Sequence, residues 1–236
     1  MNRDMAARSR RRVRRRTRRK SLRRKRQRGG DGTSIPKVCI QTAKVPLEGY
    51  VVSQLKEKMP GWEYKFFLDA DILDLFAKYP LEEFPAVADI FQSFSSGEHK
   101  ADLFRYYYLY MNGGVFIDSD LVLEVNLDNI IGSNTFVSVK ALEPSGAIFN
   151  GFLAVTPKHP IIYGALKGLY AMTNDTLQKD YQAVCKQLGT IVEAYKGDGL
   201  KLLYETENIH TKCTINDPDT NALAMTHYQN SDIPKL

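Results

Sequence analysis

Two aspartates, Asp118 and Asp120, follow a short apolar run at residues 115–117. If that run is a buried strand, both carboxylates project from one face near its end, with their Cα atoms roughly 6–7 Å apart. Two carboxylates at that separation suit one hard divalent cation, which in turn can hold a diphosphate. The pair therefore predicts metal-dependent chemistry on a phosphate-bearing substrate.

A helix is predicted directly before this strand. Ser95 and Glu98 have the spacing of a capping box, and the helical periodicity continues to about Met111. Gly113 and Gly114 then supply residues that tolerate positive φ, which ends the helix in a tight turn.

Asp102 and Arg105 lie three residues apart on this predicted helix and therefore share a face. The turn that ends the helix carries the chain straight into the strand before the aspartates. The functional interpretation is that both side chains grip hydroxyls or phosphate beside the cation. The alternative is an ordinary exposed ion pair, which is common on helix surfaces.

Strands alternate with helices, chiefly in the first half of the chain. This order is typical of an α/β layered domain with a mainly parallel central sheet flanked by helices. In such sheets ligands bind beyond the carboxyl ends of strands, where Asp118 and Asp120 fall. Strands are predicted at residues 38–41, 62–68, 115–117, 121–125, 135–139, 152–156, 200–204 and 222–227. Helices are predicted at residues 46–59, 71–78, 87–94, 95–111, 159–172 and 180–195.

The 236 residues divide sharply by charge. Between Arg3 and Arg28 stand 16 of the 33 lysines and arginines with one acid, whereas the rest of the chain has 17 bases and 26 acids. Such a basic run cannot bury apolar surface, so residues 1–32 are predicted to form a disordered arm and residues 33–236 a single domain. Residues 3–28 would bind a polyanion, either nucleic acid or an anionic membrane, or direct nuclear import. A solvated tail without a partner is the alternative.

Cysteine usage and hydropathy indicate the compartment. Cys39, Cys185 and Cys213 are far apart and match no zinc spacing, which favours reduced thiols. No apolar stretch approaches the roughly 20 residues that span a bilayer. We therefore expect a cytoplasmic protein without a transmembrane segment, or a nuclear one if the arm acts as an import signal.

Further residues recur at fixed spacing around the aspartate pair: Asp102, Arg105-Tyr106, Leu109-Tyr110, Gly113-Gly114, Phe116 and Asp118-Ser119-Asp120. This combination resembles the signature of the DXD-containing glycosyltransferases grouped as family 32, which are related to the sugar-transferring bacterial toxins. The resemblance extends over residues 35–169, with Gln41-Thr42 in the family's first strand and Asn150 in a later segment. Compact members encoded by large algal viruses look similar, which makes a viral protein in the host cytoplasm one expectation.

The resemblance implies a GT-A-like, Rossmann-type fold and transfer of a sugar from a UDP- or GDP-linked donor to a glycan, glycoprotein or other hydroxyl acceptor. It also implies a hexosyltransferase of the retaining type. Mn²⁺ or Mg²⁺ would be the cofactor, held by Asp118 and Asp120 with His227 as the third ligand. The implied catalytic residues are Asp102, Arg105 and Asp120. The implied donor-binding residues are Gln41, Thr42, Asp102, Arg105, Tyr106, Gly114, Asp118, Ser119 and Asn150.

Two other functions stay open at this point. Asp118-x-Asp120-x-Val122 also fits the first motif of haloacid-dehalogenase-like phosphatases, with Asp118 as the nucleophile, although that motif normally ends the first strand. The second is a nucleic-acid-binding protein that acts through the basic arm.

Within the resemblance, Ile40 and Ala43 replace the usual His and Trp beside Gln-Thr, which removes an aromatic platform for the nucleotide base.

Overall fold

The computed structural model describes residues 34–206 and 212–228. Within them, one nine-stranded sheet is flanked by helices, which confirms the predicted α/β class. The predicted arm at residues 1–32 lies outside the described residues. The strands are β1 Val38–Thr42, β2 Glu63–Phe67, β3 Gly114–Ile117, β4 Leu121–Leu123, β5 Phe136–Lys140, β6 Ile148–Val155, β7 Leu200–Thr206, β8 Lys212–Asn216 and β9 Leu223–Tyr228. The helices are α1 Gly49–Glu57, α2 Asp69–Lys78, α3 Val87–Ser93, α4 Gly97–Asn112, α5 Leu127–Ile131, α6 Pro160–Tyr170, α7 Asn174–Lys179 and α8 Ala183–Ala194.

The sheet is mixed, in the order β2-β1-β3-β6-β5-β7-β8-β9-β4. Parallel pairing joins β1 to β2 and to β3, and joins β5 to β7, whereas the other five neighbouring pairs are antiparallel. The expected mainly parallel arrangement is thus limited to these three pairs. Three of the antiparallel pairs, β5 with β6, β7 with β8 and β8 with β9, join consecutive strands through short connections, which only antiparallel neighbours can use.

The sheet curls back on itself around the predicted site. Strands β3 and β4 are third and last in the strand order, yet only residues 118–120 separate them along the chain. That connection spans at most about 14 Å, so the far edge of the sheet returns next to its middle. There β4 pairs with β9, and Leu121 stands opposite His227. The curl therefore brings a C-terminal histidine to the aspartate pair.

Helix α4 is buried around almost its whole circumference, with ten of its sixteen residues buried. It packs between the sheet and α6, and Tyr106 and Tyr107 are fully buried. Phe76 meets Tyr107 edge-on, with ring centroids 4.8 Å apart. The aromatic run is therefore core, and a helix packed on all sides holds its few polar residues in fixed positions. A second apolar cluster, which includes the free Cys39, fills the other face of the sheet.

The two ends of α4 differ in how closely they follow the predicted signals. The helix begins at Gly97 with Ser96 as N-cap, one residue later than the capping box predicts. It ends as predicted, with Gly113 at φ +65° and Gly114 at φ +108°. At Gly114, β3 approaches β1 so closely that a Cβ would lie 2.6 Å from the Val38 carbonyl oxygen. Position 114 therefore needs glycine both for its backbone conformation and for space.

Three short elements were not predicted, namely α5, α7 and β8. They contain five, six and five residues, which is too few for a helical or strand period to show above noise. The longer elements agree with prediction to within a few residues. Helix α6 begins at Pro160, one residue after the predicted start, and His159 is its N-cap, with Nδ1 accepting a hydrogen bond of 3.3 Å from the Ile161 amide.

We expect Gly114→Ala to destabilise the protein more than Gly61→Ala. Both glycines have positive φ, which costs a residue with a Cβ roughly 1–2 kcal/mol. Nothing lies within 4 Å of a Cβ at position 61, whereas at position 114 the Val38 carbonyl adds a clash worth about 1–3 kcal/mol. Urea unfolding measures both losses, and equal losses would show that the backbone conformation alone restricts position 114.

We expect part of the stability to depend on pH through His159. Burial lowers the pKa of this imidazole from 6.5 to about 4, and its Nε2 has no hydrogen-bond partner. The unfolded chain therefore binds a proton that the folded one does not, so the free energy of unfolding falls as pH drops from 6.5 towards 4, by up to about 3 kcal/mol.

The variant His159→Asn keeps a good N-cap and removes the titration. Chemical unfolding between pH 4 and pH 8 should show a shallower loss for this variant than for the parent. Parallel curves for the two proteins would contradict the assignment to His159.

Candidate active site

Most of the predicted site residues gather at an open cleft of about 820 Å³ where β1 and β3 end. A cleft of this size suits a small-molecule ligand. Eight of the predicted residues line it: Thr42, Asp102, Arg105, Asp118, Ser119, Asp120, Asn150 and His227. The remaining three, Gln41, Tyr106 and Gly114, do not line the cleft.

Arg105 connects the helix to the strand end. Its Nη2 is 3.1 Å from Asp118 Oδ1, its Nε is 3.5 Å from Asp102 Oδ1, and its Nη1 donates to the Asn150 carbonyl oxygen. The guanidinium carbon also lies over the Phe116 ring, 3.9 Å from its centroid. The Arg105 side chain is only 4% exposed and that of Asp102 10%, so the pair is not the exposed ion pair considered as the alternative.

Asn150, near the start of β6, completes this network. Its Nδ2 donates to Asp102 Oδ1 at 3.2 Å, and its Oδ1 accepts from the Tyr106 hydroxyl at 2.7 Å. Tyr106 is fully buried behind Asn150 and so does not reach the cleft. Its expected donor contact is thus replaced by a supporting role, because α4 turns this residue towards the core.

Gln41 and Gly114 also lie outside the cleft. Gln41 is buried, accepts a hydrogen bond of 3.0 Å from the Tyr64 hydroxyl and donates to the Asp118 carbonyl oxygen at 3.4 Å. Gly114 lies at the opposite end of β3 from Asp118, about 13 Å along the strand, and cannot contact a donor in the cleft. Gln41 supports the aspartate turn, and Gly114 permits the close pairing of β3 with β1.

The backbone at Asp118 is fixed by the sheet. Its amide donates to the Gly151 carbonyl oxygen at 2.8 Å, and its own carbonyl accepts from Leu121 at 3.2 Å. Burial raises the pKa of the Asp118 carboxyl to about 6; Arg105 opposes this effect, and the nearby Asp120 adds to it. Because burial and the neighbouring carboxylate both disfavour the negative charge of Asp118, the site favours binding of a positive charge.

Asp120 contacts a histidine and, through it, a second carboxylate. His227 Nε2 is 3.6 Å from Asp120 Oδ2, and His227 Nδ1 is 3.5 Å from Glu205 Oε1. Burial lowers the pKa of His227, but the two carboxylates outweigh burial and raise it to about 9. The other oxygen of Asp120, Oδ1, is buried without a hydrogen-bond partner. Glu205 was missed at the sequence level, because nothing in its surroundings marks it before the sheet places it beside His227.

The donor atoms of this site fit a divalent cation in kind. Two carboxylates offer hard oxygen ligands, and the unpartnered Oδ1 of Asp120 is a buried acceptor that a cation would satisfy. Among the described residues, no three His, Cys, Asp or Glu side chains are arranged to hold an ion by themselves. Sites that hold Mg²⁺ with one or two carboxylates and substrate phosphates have this character. The structure places His227 between two carboxylates, so its expected role as third ligand stays a prediction.

A second Asp-x-Asp sequence, formed by Asp69 and Asp71, opens helix α2. There Asp71 accepts a hydrogen bond of 2.9 Å from the Leu68 amide, and Asp69 is 4.0 Å from Lys100. The first contact is a helix cap of the capping-box kind, in which the carboxylate at the third helical position accepts from the amide of the N-cap residue. Asp69 lines the cleft, but Asp71 does not and serves as a helix cap, so this pair does not present two carboxylates to the cleft as Asp118 and Asp120 do.

We expect Arg105→Lys to cost about 3 kcal/mol of stability and to disorder the cleft. An ammonium cannot serve Asp102, Asp118 and the Asn150 carbonyl at once, so a buried carboxylate is left without its partner. Lys179→Met, which breaks an exposed ion pair with Asp175, is the control and should change little. Urea unfolding compares the two variants, and an Arg105→Lys protein as stable as the control would contradict the network.

The sequence has relatives among known proteins. An inositol phosphoceramide mannosyltransferase of Schizosaccharomyces pombe is 29% identical over 136 residues, which make up 58% of this chain and 40% of that protein. An uncharacterized glycosyltransferase of Acanthamoeba polyphaga mimivirus is 28% identical over 110 residues, 46% of this chain and 43% of the viral protein. The chain thus spans less than half the length of these two relatives.

Comparison of structures finds the PaToxG glycosyltransferase at a TM-score of 0.47 and 16% identity, over 67% of this chain and 69% of that one. At the level of families, residues 47–137 match the glycosyltransferase sugar-binding region containing DXD motif. That range holds Asp102, Arg105, Asp118 and Asp120. The family resemblance predicted from the sequence is therefore confirmed over residues 47–137.

Proposed function

We propose that this protein is a glycosyltransferase that moves a sugar from a nucleotide-diphosphate donor to a hydroxyl acceptor with the help of Mn²⁺ or Mg²⁺. The observation that carries the proposal is the pair Asp118 and Asp120 in the cleft, with one buried oxygen of Asp120 free of hydrogen bonds. A divalent ion bound there would stabilise the negative charge that develops on the diphosphate as the sugar–phosphate bond breaks.

The other cleft residues would hold the donor. Asp102 and Asn150 are hydrogen-bonded to each other at the cleft and offer an acceptor and a donor to sugar hydroxyls. Arg105 contacts Asp102, Asn150 and Asp118 together. It would therefore keep the residues that hold the sugar at a constant distance from the aspartate that faces the diphosphate. Thr42 and Ser119 add hydroxyls to the lining. Prior fixation of this kind lowers the entropic cost of aligning the reacting atoms.

We further propose that the sugar keeps its anomeric configuration. In a front-face reaction the bond from the sugar carbon to the diphosphate breaks, and the bond to the acceptor oxygen forms on the same face. The departing diphosphate oxygen takes the proton of the acceptor hydroxyl. This route needs no protein nucleophile, which suits a cleft in which Asp102 and Asp118 are both tied to Arg105.

Mannose is the first sugar to consider, because the relative from Schizosaccharomyces pombe is named a mannosyltransferase. Both UDP- and GDP-linked donors belong in the test, since Ile40 and Ala43 replace the aromatic positions that would mark the base. A glycan, a glycoprotein or another hydroxyl compound would be the acceptor.

The alternatives have less support. In a phosphatase Asp118 would attack the substrate, but Arg105 holds its Oδ1 at 3.1 Å, and β3 follows two other strands rather than opening the fold. Binding of nucleic acid or membrane through residues 3–28 concerns a part of the chain outside the described residues and stays a prediction, as do a cytoplasmic compartment and a viral origin. No helix in residues 34–206 or 212–228 has the length and apolar character to cross a membrane.

The test is a panel of nucleotide sugars, GDP-mannose first, with Mn²⁺ and with EDTA, on the full chain. We expect donor hydrolysis or transfer with one nucleotide sugar, and no turnover in EDTA. Asp120→Asn should lower kcat/KM by about 10²–10³-fold, because it weakens stabilisation of charge in the transition state. Asp175→Asn changes an exposed carboxylate that does not line the cleft and is the matched control. If no donor is turned over, or the Asp120 variant equals the control, the transferase proposal fails.

A further inference from the structure

Glu205, on β7, is a largely buried carboxylate that lines the cleft, and each of its two oxygens faces a nitrogen atom. Its side chain is only 9% exposed. Oε1 is 3.5 Å from His227 Nδ1, and Oε2 accepts a hydrogen bond of 2.9 Å from the Leu142 amide. The hydrogen bond from the Leu142 amide orients the carboxylate so that Oε1 faces His227 Nδ1, a buried ring nitrogen that has no hydrogen bond of its own.

His227 is held by its place in the sheet and by one ring contact. It lies on β9, paired with Leu121 of β4 and with Cys213 of β8. Its ring packs against Phe149 with centroids 4.7 Å apart. With Nδ1 facing Glu205, the ring can present only Nε2 to the aspartate pair.

Asp120 has two oxygens in different surroundings. Oδ2 faces His227 Nε2 at 3.6 Å, whereas Oδ1 is buried without any hydrogen-bond partner. A carboxylate that binds a metal through one oxygen is commonly oriented by a contact to the other, and such supporting partners matter nearly as much as the ligands. Asp120 fits this pattern, because His227 faces Oδ2 while Oδ1 has no protein partner.

We propose that Glu205 is a positioning residue of this site: it fixes His227, and His227 orients Asp120 so that Oδ1 is available to a divalent cation. His227 is then a support of the aspartate rather than a third ligand. Through the Leu142 amide, the same carboxylate also holds the loop between β5 and β6, which lines the cleft. The inference rests on the proposed function, because it assumes that a cation binds beside Asp120.

The test measures binding of Mn²⁺ alone to the full chain, by electron paramagnetic resonance of the free ion. Glu205→Gln keeps the size of the side chain and an acceptor for Leu142, but loses the charge that faces His227. We expect it to raise the Kd for Mn²⁺ by about tenfold. Glu124→Gln is the matched control, since Glu124 contacts Thr226, the neighbour of His227 on β9. The control should leave the Kd unchanged.

A double-mutant cycle tests whether Glu205 acts through His227. If it does, Glu205→Gln has no further effect on the Kd in a His227→Asn background. Additive effects of the two substitutions would overturn the inference, because they would mean that Glu205 acts on the cation independently. An unchanged Kd in Glu205→Gln would also overturn it. Should Glu205→Gln fold poorly by urea unfolding, Glu205→Asp, which shortens the reach towards His227, replaces it in the cycle.

A second readout separates this inference from the proposed function. If the parent protein binds no Mn²⁺, the metal-dependent function fails, and the role of Glu205 is judged from the nuclear magnetic resonance signals of the His227 ring in the metal-free protein. We expect Glu205→Gln to shift and broaden those signals while Glu124→Gln leaves them in place. Signals that are the same in all three proteins would show that Glu205 does not hold His227.

Discussion

The buried guanidinium of Arg105 is the interaction on which the cleft depends. It joins α4, through Asp102, to the end of β3, through Asp118, and to β6, through the Asn150 carbonyl. A buried positive charge is stable only with negative partners, and two neighbouring carboxylates are stable only with a positive one. The arginine and the two aspartates therefore stabilise one another's charged forms. The planar fork of the guanidinium serves all three partners at once, which an ammonium could not do, and its carbon lies over the Phe116 ring.

This network depends on the packing that holds α4 in place. Its aromatic residues bury the helix between the sheet and α6, and the glycine turn at its end brings β3 directly against β1. The helix is thereby held by apolar packing along its length and by steric contact at its C-terminus. Rigid packing fixes the positions of Asp102 and Arg105 more closely than their own polar contacts would. The binding chemistry is thus positioned by the core and only completed by the ion pairs.

The other half of the cleft is formed by the curl of the sheet. Because residues 118–120 lead from the middle of the sheet to its far edge, the aspartate pair lies where the two meet. Strand β9 returns beside β4 and places His227 next to Asp120, with Glu205 behind it on β7. One side of the aspartate pair therefore depends on a helix close in sequence, and the other on strands about a hundred residues away.

The sequence by itself determined the local part of this arrangement. The spacing of Asp102 and Arg105, the glycine pair, and the strand before Asp118 each reflect a helical or strand period or a turn, which act over a few residues. Arg105 is also the only arginine after Arg28, whereas every other Lys or Arg position beyond it is a lysine. The tertiary structure alone decided that Tyr106 and Gln41 support the site from behind, that the sheet is mixed, and that Glu205 belongs to the cleft. These depend on the curl of the sheet and on which face of α4 meets the core, and pairing between distant strands leaves no short-range pattern from which they could be read.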